Sequence, residues 1–131
     1  MIFVDSNVPM YLIGDDDERR HAAERLLQGL VERDEKLVCS SEVLQEILHR
    51  YVSIRRREAI APAFEAVKRI VDEVLPLALA DVERARDILL ATERLSARDG
   101  VHLAVMERNG ISRIASFDRG FDGYPGITRL S

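Results

Sequence analysis

The chain has 131 residues, of which 47% are apolar and 32% are charged, and its formal net charge is −4 at pH 7. This length and composition suffice for one buried core, which excludes overall disorder and leaves little chain for a second. No apolar run approaches the roughly 18 residues of a membrane span, and no basic stretch precedes an apolar one at the start. We therefore expect one domain, residues 1–131, that is cytoplasmic and has no membrane partner.

The numbers of cysteines and arginines limit the kinds of metal site and partner that the chain can have. Cys39 is the only cysteine, which excludes an internal disulfide and a cysteine-based zinc site. The negative net charge argues against a nucleic-acid partner. However, Lys36 and Lys68 are the only lysines, so 17 of the 19 basic residues are arginines. Arginine makes bidentate contacts with phosphate, and divalent cations bound among the acids would reduce the negative field. The charge therefore does not exclude RNA.

Hydrophobic periodicity predicts short strands that alternate with amphipathic helices. The predicted strands cover residues 2–4, 37–39, 74–77, 113–115 and 127–129, with Pro76 keeping the third short or at an edge. The predicted helices cover residues 9–13, 18–33, 41–52, 59–74, 80–95 and 99–108, with Val82 among the inward residues of the fifth. Apolar strands in this alternation indicate an α/β fold, a central parallel sheet of four to five short strands with helices on both faces.

Four acidic residues from distant parts of the chain are expected at one end of this sheet. Asp5 directly follows the first strand, Asp118 follows the fourth, Glu46 lies on the helix after the second, and Asp99 opens the helix before the fourth. Ligands of open parallel sheets bind beyond the carboxyl ends of the strands. Clustered carboxylates repel one another unless cations lie among them, and oxygen ligands favour Mg²⁺ or Mn²⁺. The pattern indicates a metal-dependent phosphoryl or phosphodiester site.

Each of these acids also has a purely structural interpretation. Asp5 and Asp99 are both possible helix caps, and Asp118 and Asp122 lie in a Gly-rich loop where Asp often makes turns. On a helical wheel Glu46 lies away from the centre of the apolar stripe, and Glu42 lies opposite to it. A solvated Glu46 is therefore the default interpretation. His49 and His102 are interpreted as helix residues with local partners rather than as metal ligands.

Four segments in order resemble the motifs of PIN-domain ribonucleases, above all the VapC-type toxins of toxin-antitoxin pairs. The resemblance covers essentially the whole chain. The segments are Ile2-Phe3-Val4-Asp5-Ser6-Asn7, then Ser40-Ser41-Glu42-Val43-Leu44-Gln45-Glu46, then Ala97-Arg98-Asp99-Gly100-Val101-His102-Leu103-Ala104, and last Ser116-Phe117-Asp118-Arg119-Gly120-Phe121. In the second segment the acidic position of the family falls on Glu46, not on Glu42.

This resemblance implies a Mg²⁺- or Mn²⁺-dependent endoribonuclease that acts as a toxin. It implies Asp5, Glu46, Asp99 and Asp118 as the catalytic acids, with Asp5, Asp99 and Asp118 as metal ligands and Asn7 and Ser116 as supports. Many relatives have Asn or Asp where this chain has Phe117, so Asp122 is an alternative for the role of Asp118.

The implied partners are an RNA substrate, a cognate antitoxin and a second copy of the chain. Two other functions remain open at this point: a PIN-like scaffold that binds RNA or protein without cleavage, and a housekeeping PIN nuclease. Receiver domains and haloacid-dehalogenase phosphatases share a doubly wound sheet, but both fit poorly because they need acidic pairs or a lysine that this sequence lacks.

Overall fold

A five-stranded parallel sheet forms the centre of the computed structural model, which describes all residues 1–131. Its strands are β1 (Ile2–Val4), β2 (Leu37–Ser40), β3 (Glu73–Leu75), β4 (Arg113–Ala115) and β5 (Thr128–Leu130). Their order is β3-β2-β1-β4-β5, and every neighbouring pair is parallel. The strand order reverses between β1 and β4, which makes the ends of these two strands the expected ligand site.

Six helices cover the two faces of this sheet, as the sequence predicts. They are α1 (Asn7–Ile13), α2 (Asp17–Glu32), α3 (Ser41–Ser53), α4 (Ile60–Ile70), α5 (Leu79–Ala91) and α6 (Ala97–Arg108). Side chains of Asp16, Ser40 and Ser96 cap α2, α3 and α6 by accepting hydrogen bonds from backbone amides. None of the helices is long and apolar enough to cross a membrane.

Alternation along β1 divides the core between the two faces of the sheet. Phe3 points into the larger cluster, which also contains Ile47 of α3 and Leu103 of α6. Ile2 and Val4 point into the smaller cluster, with residues of α1 and α2. Because successive side chains of a strand point to opposite faces, three fully buried residues anchor both layers.

Two predicted helices are shorter than their hydrophobic patterns indicate. The fourth ends at Ile70 rather than at residue 74, because Val71 adopts an extended backbone (φ −97°, ψ 145°) that leads into β3. The fifth ends at Ala91 rather than at residue 95, since Thr92 leaves the helical region. Strand β3 lies at the edge of the sheet, as Pro76 predicts, but it begins one residue earlier than expected.

Helix α5 also presents a different face to the core than the sequence predicts. Val82 is 47% exposed, whereas the neighbouring Asp81 is buried. Two nitrogens of Arg108 donate to the Asp81 carboxylate, which also accepts from the Ala78 amide. These hydrogen bonds compensate for burying the charge of Asp81. Helix α5 therefore turns Asp81 towards the core, where the apolar pattern predicts Val82.

The first turn of α6 approaches α5 closely because residue 100 is glycine. A Cβ atom at Gly100 would lie 2.7 Å from Cγ of Leu89 on α5. Such a distance is too short for two carbon atoms, so a larger residue would require the Leu89 side chain or one of the helices to move. The glycine therefore permits the close contact between α5 and the turn that carries Asp99.

Candidate functional site

The first site residue, Asp5, extends the central strand by one residue beyond its end. Its amide donates to the carbonyl of Ala115, which continues the pairing of β1 with β4. Its side chain is buried, and the carboxylate accepts from the Ser6 amide at 2.7 Å and from the Ser116 hydroxyl at 2.6 Å. Asp5 is therefore held at the switch point of the sheet, where the sequence places it.

Asn7 and Ser116 connect the ends of the two central strands. The amide nitrogen of the Asn7 side chain lies 3.3 Å from Asp5 Oδ2 and 3.2 Å from Ser116 Oγ. The Asn7 side-chain oxygen accepts from the Phe117 amide, and Ser116 Oγ accepts from the Asp118 amide. These contacts fix the loop after β4 relative to Asp5, and the supporting role of both residues stays a prediction.

Glu46 and His102 form a buried pair beside Asp5. Glu46 accepts from the Ser6 hydroxyl at 2.8 Å through Oε2 and is hydrogen-bonded to His102 Nε2 through Oε1. His102 Nε2 also lies 3.7 Å from Asp5 Oδ1, and the ligand atoms of the three residues lie within 4.8 Å of one another. The expectation of a solvated Glu46 and of local partners for His102 is therefore wrong, because α3 and α6 pack together across this pair.

Burial would disfavour charge on both members of this pair, but their mutual hydrogen bond outweighs it. The pKa of Glu46 is lowered and the pKa of His102 is raised, which favours a carboxylate and an imidazolium. Glu42 is half-buried rather than opposite the core as predicted, and burial raises its pKa. Burial also raises the pKa of Asp5 more than His102 and Ser116 lower it.

Asp99 and Asp118 lie on either side of Gly120. A Cβ atom at Gly120 would lie 3.0 Å from Asp118 Oδ1 and 3.5 Å from Asp99 Oδ2, so a larger residue would crowd both carboxylates. Burial, followed by the negative charges of Asp118 and Asp5, raises the pKa of Asp99. Asp99 therefore lies within electrostatic reach of both Asp118 and Asp5.

Asp122, the alternative to Asp118, is engaged by an arginine. Arg129 of β5 donates to both carboxylate oxygens of Asp122, at 2.8 and 3.1 Å. Arg94 binds the same loop from the other side, through the carbonyls of Gly120 and Asp122. This bidentate pairing occupies Asp122, and Asp118 is the loop carboxylate that faces Asp99.

The donor set of this site fits a hard divalent cation. Burial raises the pKa of Asp5 and of Asp99, and neighbouring negative charges raise that of Asp99 further, so a cation beside these carboxylates would stabilise their ionised forms. Oxygen ligands from aspartates suit Mg²⁺ and Mn²⁺ better than softer metals. One further polar atom at the site, Nδ1 of His102, is buried without a hydrogen-bond partner.

The sequence pattern did not identify His102 as a residue of the site. The signal lay in its spacing, because residues three positions apart on a helix share a face, and His102 follows Asp99 by three. Helix α6 is apolar almost all round. A histidine on the same face as Asp99 is therefore expected to contact the groups around that aspartate. Glu46 was recognisable only from the resemblance, since its own helix favours a solvated position.

Comparisons with known proteins agree with this geometry. The PIN domain family matches residues 2–127. Ribonuclease VapC13 of Mycobacterium tuberculosis is 58% identical over 131 residues, the whole of both chains. The crystal structure of Mycobacterium tuberculosis VapC20, described as a sarcin-ricin loop cleaving toxin, is 25% identical with a TM-score of 0.77, covering 97% of this chain and 98% of that one.

A toxin-antitoxin complex from Klebsiella pneumoniae shares the fold at 15% identity, with a TM-score of 0.64 over 98% of this chain and 96% of that one. The central parallel sheet with its acidic end and these matches define a PIN-fold protein. The chain belongs to the PIN domain family and, within that family, to the VapC ribonucleases.

Proposed function

We propose that this chain, residues 1–131, is a divalent-metal-dependent endoribonuclease that acts as the toxin of a toxin-antitoxin pair. The observation that carries the proposal is the acidic end of the sheet, where ligand atoms of Asp5, Glu46 and His102 lie within 4.8 Å of one another and Asp99 lies within reach of the charges of Asp118 and Asp5. The 58% identity to a protein named ribonuclease VapC13 supports the same reaction class.

In this proposal Asp5, Asp99 and Asp118 hold Mg²⁺ or Mn²⁺, and Asn7 and Ser116 orient Asp5. Such a metal activates water and stabilises the negative charge that develops on the phosphodiester. Glu46 is the fourth catalytic acid. Its lowered pKa favours the carboxylate, and Ser6 and His102 hold that carboxylate beside Asp5, where it adds negative charge to the site.

The proposed partners are RNA, a cognate antitoxin and a second copy of the chain. The antitoxin assignment is supported by the fold shared with the Klebsiella pneumoniae toxin-antitoxin complex. An antitoxin that covers the end of the sheet would exclude RNA from the acidic residues, and an arginine of that partner would pair with their carboxylates.

The proposal is tested by incubating the purified chain with RNA that contains single-stranded loops, in Mn²⁺ or in EDTA. We expect cleavage with Mn²⁺, no cleavage in EDTA, and loss of cleavage in Asp99→Asn. The matched control is Asp87→Asn, which removes an exposed carboxylate from α5. RNA binding without cleavage by the wild-type chain would support the scaffold alternative and contradict the nuclease.

A further inference from the structure

Two aromatic rings stack beside the acidic site and connect it to an arginine. The rings of Tyr11 on α1 and Phe117 in the loop after β4 have centroids 5.1 Å apart and are inclined by 19°. The guanidinium carbon of Arg19, in the first turns of α2, lies 5.0 Å from the centroid of the Tyr11 ring. Both rings are partly exposed to solvent and Arg19 is exposed, so this cluster is open to a ligand.

The stack is fixed to the site by the same side chains that hold Asp5. Phe117 lies between Ser116 and Asp118, and its amide donates to the side chain of Asn7. Asn7 and Tyr11 are four residues apart on α1, and therefore lie on one face of that helix. A group stacked on these rings would be next to the loop that carries Asp118.

Tyr11 and Arg19 also border a groove between α1 and α3 that is lined by charged residues of both signs. This cavity of about 330 Å³ is also lined by Arg50, Tyr51 and Arg56, and by Asp15 and Asp16. Arg56 is paired with Glu58 and lies 4.0 Å from Asp15, and Asp16 accepts from the Arg19 amide, whereas the guanidinium groups of Arg19 and Arg50 form no ion pair in the structure. Two unpaired guanidinium groups next to exposed aromatic rings form a surface with affinity for phosphates and for flat ring systems.

We propose that this surface binds single-stranded RNA during cleavage. One base stacks on the Phe117–Tyr11 pair, and the phosphates on that side of the cleaved bond contact Arg19 and Arg50. Only an unpaired, splayed base exposes a face to such a stack. This inference rests on the proposed nuclease function and adds the residues that hold the RNA beside the acidic site.

The stacking role is tested with Phe117→Leu and Tyr11→Leu, which keep apolar volume but remove an aromatic ring. Each variant is assayed on a cleavable single-stranded RNA and on versions in which each nucleotide next to the cleavage position is made abasic in turn. We expect each variant to lower kcat/KM on the intact RNA by about 5- to 100-fold, the range for one stacked base. One of the abasic RNAs lacks the base that stacks on these rings. On that RNA the kcat/KM of each variant should be close to that of the wild-type chain.

This comparison separates stacking from a positioning effect on Asp118. A leucine variant that merely displaced the loop would slow cleavage of intact and abasic RNA by the same factor, and that result would overturn the inference. Tyr124→Leu is the matched control, because Tyr124 is a partly exposed tyrosine that lines a different cavity with Arg84 and Pro125. It should leave both reactions unchanged.

The phosphate contacts are tested by RNA binding to Asp99→Asn chains that also carry Arg19→Gln or Arg50→Gln. Each substitution should weaken binding and reduce the slope of log K against log salt concentration by about 0.7. Arg86→Gln, on exposed α5, is the control and should change neither. Unaltered RNA binding with weakened antitoxin binding would overturn the inference and assign the groove to a protein. Failure of the wild-type chain to cleave any RNA would instead contradict the proposed function.

Discussion

His102 on α6 is hydrogen-bonded to Glu46 on α3, although 56 residues separate them in the chain. Only 1% of the His102 side chain and 13% of the Glu46 side chain are exposed. Ser6, directly after Asp5, donates to the second oxygen of Glu46. The pair therefore joins two helices to the end of the central strand, and it fixes which glutamate of α3 belongs to the site.

The first prediction concerns the two glutamates of α3. Glu46→Gln removes the charge that pairs with His102 and its contribution to the acidic site, so we expect cleavage to fall sharply. Glu42→Gln is the matched control, because Glu42 is only half-buried and makes no side-chain hydrogen bond. We expect it to cleave RNA at close to the wild-type rate. Loss of activity in Glu42→Gln alone would show that the roles of the two residues are reversed.

The second prediction concerns the stability of the metal-free protein. Burial raises the pKa of Asp5 above 3.8, so its contribution to stability is present below that pH and is lost as the pH rises through the raised value. At neutral pH an ionised, buried Asp5 is therefore destabilising. Asp5→Asn should abolish cleavage, while its free energy of unfolding in EDTA should equal or exceed that of the wild-type chain.

Urea denaturation across the acidic and neutral range measures this difference directly. The advantage of Asp5→Asn should shrink as the pH falls and Asp5 of the wild-type chain becomes protonated. Mn²⁺ at about 100 times its Kd should stabilise the wild-type chain by about 2.7 kcal/mol and the variant by much less. Cleavage at the wild-type rate by Asp5→Asn would contradict the site assignment.

The sequence was sufficient to predict the strands and the position of Asp5 beyond the end of β1. Short apolar runs such as residues 2–4 define buried parallel strands, and parallel strands bring their carboxyl ends to one edge. The end of α4 at Ile70 was not predictable, because the apolar pattern continues into β3 without a break. Pairing with β2 overrides that helical periodicity.

Contacts between side chains that lie far apart in the chain could not be predicted from the sequence either. The hydrogen bond between His102 and Glu46 depends on how α3 crosses α6, which no local pattern specifies. The pairing of Arg129 with Asp122 likewise requires the register of β5 beside β4. The resemblance selected Glu46, and the pairing of Asp122 with Arg129 favours Asp118 as the metal ligand, which stays a prediction.

The third prediction compares these two aspartates. Asp118→Asn removes a carboxylate that faces Asp99, so cleavage should fall sharply and should require a higher Mn²⁺ concentration. Asp122→Asn removes the exposed partner of an ion pair, which contributes little to stability because solvent screens it. Its cleavage should therefore stay near the wild-type rate. A Mn²⁺ titration of activity measures both variants, and equal losses would show that Asp122 shares the metal.

The fourth prediction concerns the contact between α5 and α6. Gly100→Ala places a methyl group 2.7 Å from Leu89 Cγ, so we expect a loss of about 1–3 kcal/mol in the free energy of unfolding. The displacement also moves the turn that carries Asp99, so activity should fall. In the double variant with Leu89→Ala the methyl group has space, and the combined loss should be smaller than the sum of the single losses. Additive losses would exclude a direct clash.

The fifth prediction is that the chain arrests growth when it is expressed alone in a bacterial host. An endoribonuclease whose acidic site is preformed at the end of the sheet needs only a divalent cation and RNA to act. Asp99→Asn keeps the Ser96 cap at the backbone amide of residue 99 but removes the carboxylate that faces Asp118, so it should fold and permit growth. Colony counts and the amount of soluble protein are measured in the same cultures. Abundant soluble wild-type protein without growth arrest would contradict the toxin assignment and favour a housekeeping PIN nuclease.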